Sequence, residues 1–221
     1  MGIEVIPGVE ISSDIDGLDI HILGYFVDTN NPELVEKLQQ MKQARYVRAR
    51  KIVENLNREG IDLRFETVLR IAGSAAIGRP HIASAMLQEE LICSFREAFE
   101  KHIGYDSAAY VEKLKIRPRE VFQLIARAGG IPVLAHPAVT GVDEHIPEFV
   151  NDGLMGIEVI HSEHTATTER RYRRLCRQHG LVMTGGSDFH TSQHSRLDIG
   201  YPRVPASFAE ILKKEHATFV T

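Results

Sequence analysis

The chain has 221 residues, 43% hydrophobic and 25% charged, with 17 Gly and 9 Pro, proportions that exclude a disordered, collagen-like or fibrous protein. Its formal charge of −4, from 26 Lys and Arg against 30 Asp and Glu, gives no polybasic reason to bind nucleic acid or anionic membranes. No apolar run is long enough to span a bilayer, and the opening MGIEVIPGVEIS lacks the pattern of a signal peptide.

Residues 3–12 (IEVIPGVEIS) and 18–26 (LDIHILGYF) are two β-rich runs around the turn-forming cluster Asp14-Ile15-Asp16-Gly17, so they read as a hairpin. Strand side chains alternate faces. With an even loop, Glu10 lies opposite His21 or Leu23, and in either case Glu10 and His21 share a face and can reach one ion. An odd loop separates them.

Residues 31–115 read as a helical insertion. An amphipathic run from Glu33 to Arg58 follows Pro32 and stops at Gly60, and shorter helices fit 64–72, 80–91 and 94–103. Two cysteines, Cys93 and Cys176, fall in stretches that look helical. Without CxxC spacing they suit a reducing cytoplasm and exclude a disulfide framework.

From 117 onward helix and strand alternate: a helix from Pro118 to Gly129, the run IPVLAHP, a helix near 144–152, the run MGIEVIH, a helix near 167–179, then LVMTGGSDFH. Continuous apolar strands between amphipathic helices predict a parallel sheet in repeated βαβ units. Residues 1–30 and 116–221 together form the predicted α/β core.

Each apolar run ends in residues able to hold a ligand: His136-Pro137, then His161-Ser162-Glu163-His164, then Ser187-Asp188-Phe189-His190. C-terminal strand ends converge on one rim in α/β folds, where active sites are built. Imidazole with carboxylate and no thiolate suits Mn²⁺, Fe²⁺ or Zn²⁺. Glu10, His21, His136, Asp188 and His190 form the candidate metal set. Asp188 and His190 either share a face or diverge in a turn to serve neighbouring ions. A carboxylate such as Glu10 can bridge two metals, the arrangement that generates hydroxide for phosphoester hydrolysis without a nucleophilic Ser or Cys. Against this stands the plainer reading of each histidine alone as a hydrogen-bonded core or rim residue. His102, His145, His179, His194 and His216 read as surface or structural, and Arg170-Arg171-Tyr172-Arg173-Arg174 as a solvated helix face.

In this order, GVEIS, HILGYF, GRPHIA, VLAHP, GIEV and TGGSDFH resemble the PHP (polymerase and histidinol phosphatase) domain over nearly the whole chain, above all its stand-alone metal-dependent phosphoesterases. The resemblance implies a distorted (β/α)7 TIM-like barrel with a metal cluster at its C-terminal rim. It also implies hydrolysis of phosphate from nucleotides, namely nucleoside 3′,5′-bisphosphates, 5′-nucleotides or short RNA 5′ ends, by metal-activated hydroxide. On that pattern Glu10 bridges two metals, His21 and His136 complete one site, Asp188 joins Glu10 at the second, and His190 belongs to a third. The insertion covers the rim in similar proteins, so Arg79 and His81 become candidate phosphate or nucleotide contacts, the alternative being that Arg79-Pro80 starts a helix. His164 matches a family strand-end Ser-x-His and is the candidate substrate contact there.

The family pattern begins with an HxH strand and a Thr-Asp-His-like segment that would precede IEVIPGVEIS, so the resemblance implies a barrel lacking its first two βα units. A fragment, a chain covered by a partner or by a second copy, and a genuine short form with a reduced site are the three expectations. The function alternative is an inactive domain that binds one metal or acts as an interaction protein.

Overall fold

Asp16 and Gly17, at φ +51° and +87°, make a two-residue turn that joins β1 (Gly8–Ile15) to β2 (Leu18–Tyr25). Positive φ at both central residues is the hairpin geometry that matches strand twist, and Asp-Gly supplies it cheaply. The computed structural model describes residues 2–189 and 200–219. Strand β1 starts at Gly8, later than the sequence pattern suggests, although the Pro7 carbonyl still accepts the Phe26 N–H at 2.8 Å.

The remaining elements follow in chain order as α1 (Pro32–Arg58), α2 (Phe65–Ala72), α3 (Arg79–Gln88), α4 (Phe95–Glu97) and a π-helical turn (Ala98–His102). Then come α5 (Pro118–Arg127), β3 (Ile131–Leu134), α6 (Pro137–Thr140), a 3₁₀ turn (Asp143–His145) and α7 (Ile146–Asp152). The chain closes with β4 (Gly156–His161), α8 (Ala166–His179), β5 (Val182–Gly186) and α9 (Ala206–Phe219).

Two units emerge. Residues 1–35 and 115–221 form the first. Its described strands make one sheet in the order β1-β2-β3-β4-β5. The β3–β4 and β4–β5 pairs are parallel, as continuous apolar strands require, and β3 and β4 are buried at every position. Strand β2, however, pairs with β3 antiparallel, so the hairpin joins the parallel strands in the opposite sense and the sheet is mixed. The chain passes through α1 to α5 between these two strands, and so long an excursion does not impose the parallel return of a tight crossover.

On the hairpin, Ile11, Ile20 and Ile22 are fully buried on the face that meets α5, whose own Val121, Phe122 and Ile125 are equally buried. Helix α9, which the sequence pattern did not reveal, packs on β5 through Phe208 and Leu212. These are its only buried described side chains, too sparse a stripe to register as amphipathic.

Residues 36–114 form the second unit, with a core of Ile52, Leu56, Val68, Ile82 and Met86. Cys93 corrects a sequence reading: it lies exposed in the bend between α3 and α4, while Cys176 is buried in α8. No described helix is long and apolar enough to cross a membrane.

Candidate metal centre

The two-residue turn is even, so the parity argument resolves. Glu10 stands opposite Leu23 and Ser12 opposite His21. That puts the carboxylate and the imidazole diagonally on one face, the face not packed on α5. Glu10 Oε1 lies 2.8 Å from His21 Nδ1.

His136 joins them from the end of β3. The ladder continues one step past that strand, with Ala135 N–H donating to His21 C=O at 3.0 Å. The next residue, His136, leaves regular geometry at φ +27°, ψ +53°, immediately before Pro137 begins α6. A non-glycine residue there is strained and must be held by its surroundings. Glu158, in β4, supplies the hold: its Oε2 accepts the His136 backbone N–H at 2.9 Å. The bend places His136 Nε2 3.2 Å from His21 Nδ1 and 3.7 Å from Glu10 Oε1.

These three atoms form the one described group of three or more ligand-capable side chains that converge closely enough for a metal ion. Adjacent ligands at about 2.0–2.2 Å from an ion sit roughly 3–3.5 Å apart, the scale of this triangle. Two imidazole nitrogens facing each other and a carboxylate can share protons or hold a cation between them. The electrostatics agree: hydrogen bonding to His136 and then His21 holds the Glu10 carboxyl well below the usual carboxylate range, despite partial burial. Burial opposes charge on His136, yet Glu10, Glu158 and Asp188 outweigh it and raise its affinity for a positive charge. Glu158 is 5% exposed, and burial pushes its carboxyl up to about 7.

The sequence reading missed Glu158 and set His161 behind His164. Both sit on β4, three residues apart, and regular alternation would send them to opposite faces. A register shift between Glu158 and Ile160 inserts Val159 as an extra residue opposite β5. Bulges of this kind re-aim side chains, and here both residues come to His136. The His161 ring lies 5.3 Å from the His136 ring, and its Nε2 lies 4.0 Å from Asp188 Oδ2. Burial, then His136 and His164, lowers the proton affinity of His161. The β-bulge has no sequence signature of its own, although a carboxylate inside an otherwise apolar strand (GIEVI) is a signal that could have marked Glu158.

The other candidate residues distribute as follows. Asp188 follows β5 at φ +50°, half-exposed, beside His161 and outside the three-residue group. His190 lies outside the described residues. His164 hydrogen-bonds through Nδ1 to the Val159 carbonyl at 2.9 Å, and its ring lies 5.4 Å from His161. In the helical unit, Arg79 begins α3, donates to the Ile103 carbonyl and lies 4.4 Å from the Tyr105 ring centroid. His81 Nδ1 accepts the Gly78 N–H at 2.9 Å, capping its own helix. His216 Nε2 is 3.0 Å from the Gly129 carbonyl oxygen and its ring stacks on Phe26, the structural role expected of it.

No protein-family model matches the chain. A 5′-3′ exoribonuclease of Haemophilus influenzae is 31% identical over 195 residues, covering 86% of this chain and 71% of that protein. A 3′,5′-nucleoside bisphosphate phosphatase of Chromobacterium violaceum is 28% identical over 206 residues, covering 90% and 72%. Among solved structures, a Bifidobacterium adolescentis protein assigned as a metal-dependent phosphoesterase superposes with a TM-score of 0.83 at 25% identity, over 94% of this chain and 75% of its own. These names are consistent with a PHP-type phosphoesterase. At 31% identity across most of both sequences, the chain belongs to the family of the Haemophilus influenzae 5′-3′ exoribonuclease, and it is a hydrolase.

Proposed function

We propose that the protein is a metal-dependent phosphoesterase that releases phosphate from nucleotides, with nucleoside 3′,5′-bisphosphates, 5′-nucleotides and the 5′ ends of short RNA as its substrate class. The convergence of Glu10 Oε1, His21 Nδ1 and His136 Nε2 on one point carries the reading. The names of its relatives, a bisphosphate phosphatase and an exoribonuclease, support the substrate class. We also propose that the sheet belongs to a PHP-type barrel.

The donor set fits a divalent ion of the Mn²⁺, Fe²⁺ or Zn²⁺ type, two imidazoles and a carboxylate without thiolate. Such an ion supplies acidified water and neutralises phosphoryl charge. The protein's own residues do the rest. Glu10 favours its ionised form because His136 and His21 face its carboxylate and lower its proton affinity. Glu158 fixes the backbone of His136, and through it the direction of Nε2. Asp188 and His190 are proposed for neighbouring metal positions, and Arg79, His81 and His164 for substrate contacts.

The test is phosphate release from adenosine 3′,5′-bisphosphate, AMP and a short 5′-phosphorylated RNA by Mn²⁺-loaded protein. The reading expects hydrolysis of at least one, abolished by chelator and by Glu10→Ala. Hydrolysis of none, or activity indifferent to both treatments, overturns it.

A further inference from the structure

We propose that His161 is a substrate contact whose Nε2–H donates a hydrogen bond to a phosphoryl oxygen, a role that rests on the phosphoesterase reading. The other ring nitrogen fixes the proton's place. His161 Nδ1 accepts the backbone N–H of Glu163 at 3.2 Å. An accepting Nδ1 carries a lone pair, so the ring is neutral and its single proton sits on Nε2. The tautomer is thus assigned from the ring orientation, in which a backbone N–H faces Nδ1.

Two consequences follow. Nε2 has no lone pair to offer, so His161 is not a metal ligand, although it lies beside the candidate metal group. It is a donor, buried on a residue 4% exposed, and without a hydrogen-bond partner among the described residues. Asp188 Oδ2, at 4.0 Å, is beyond hydrogen-bonding distance. Buried donors are almost always satisfied in folded proteins, so one that is not calls for an acceptor from a water or a ligand atom. The ring lies 5.3 Å from that of His136, so an acceptor that reaches Nε2 comes from the immediate surroundings of the Glu10–His21–His136 triangle. A phosphoryl oxygen of a substrate held there has the required chemistry: an acceptor, anionic, and gaining charge as the ester bond breaks.

His164 provides the contrast. Its Nδ1 lies 2.9 Å from the Val159 carbonyl oxygen and must donate to it, which leaves the lone pair on Nε2. Two neighbouring imidazoles, with ring centres 5.4 Å apart, therefore present opposite faces to a ligand, a donor from His161 and an acceptor from His164.

Two measurements decide the matter. In protein carrying ¹⁵N-labelled histidine and loaded with diamagnetic Zn²⁺, long-range ¹H–¹⁵N spectra read each tautomer directly. The expected result is a proton on Nε2 of His161 and on Nδ1 of His164, with inorganic phosphate shifting the His161 Nε2 resonance. A proton on His161 Nδ1, or indifference to phosphate, overturns the proposal whether or not the protein proves to be a phosphoesterase. In kinetics, His161→Phe keeps a flat ring without the donor, whereas His161→Gln keeps an N–H. The Phe variant is expected to lose about 10²–10³ in kcat/KM, the scale of one lost donor to a developing oxyanion, with metal content unchanged, and the Gln variant to recover most of it. Metal lost in step with activity would make His161 a ligand, and an unchanged kcat/KM would leave it a packing residue; either result overturns the proposal. Should His161→Phe fail to fold, the spectra of the wild-type protein settle the question alone. Absence of phosphoesterase activity in the wild-type protein would instead count against the parent reading.

Discussion

The two halves of the candidate centre are built differently. Glu10 and His21 project from regular strands, where a two-residue turn fixes the register and simple alternation aims both side chains at one face. His136 and Asp188 arrive from backbone with positive φ at strand ends, and Glu158 and His161 from a bulged strand. The first half is held by a ladder of main-chain hydrogen bonds. The second is held by a few specific contacts, foremost the Glu158 carboxylate on the His136 N–H. Regular structure sets direction through geometry alone, whereas irregular structure needs a buried polar partner to hold each strained residue in place.

That contrast can be broken at several points. Glu10→Ala removes the central carboxylate, and metal affinity measured by calorimetry should fall by more than about 100-fold, because even an outer partner is worth about 10–100-fold. Glu158→Ala should fall within that 10–100-fold range and also lower thermal stability by about 1–3 kcal/mol, since it leaves a buried N–H unpaired. Glu158→Gln retains an acceptor oxygen and should recover most of both. Equal losses for Ala and Gln would mean that charge, not the hydrogen bond, does the holding.

Acidity sharpens the comparison further. His136 must be unprotonated to bind a metal, and its environment raises its pKa above the ordinary histidine value. Protons therefore compete at a higher pH than they would at an isolated imidazole. Affinity should be constant above that raised value and decline by about tenfold per pH unit below it, for one competing proton. Smallest of all, His216→Ala should cost about 1 kcal/mol of stability through its lost hydrogen bond and stacking on Phe26, with metal content untouched.

The same contrast governs what was legible in the sequence. The helices that follow Pro32, Arg79-Pro80 and Pro118 announced themselves by proline and periodicity, and so did the buried runs IPVL and GIEVIH. The pairing of Glu10 with His21 needed only the parity of one turn. The antiparallel junction of β2 with β3 was not legible, because it depends on how the chain returns after a long excursion. Nor was the bulge at Val159, which decides that Glu158 and His161, three apart, both reach His136. Helix α9 stayed hidden because it buries little. Nothing local distinguishes His161 from His164 either, since each tautomer is set by a backbone group brought in by folding.

Crystals soaked in Zn²⁺ or Mn²⁺ and measured at the metal absorption edge give the most direct test of the whole account. The account predicts an anomalous peak at coordination distance, about 2.0–2.2 Å, from Glu10 Oε1, His21 Nδ1 and His136 Nε2 together. Peaks found only elsewhere on the protein, with those three atoms touching no ion, would contradict it.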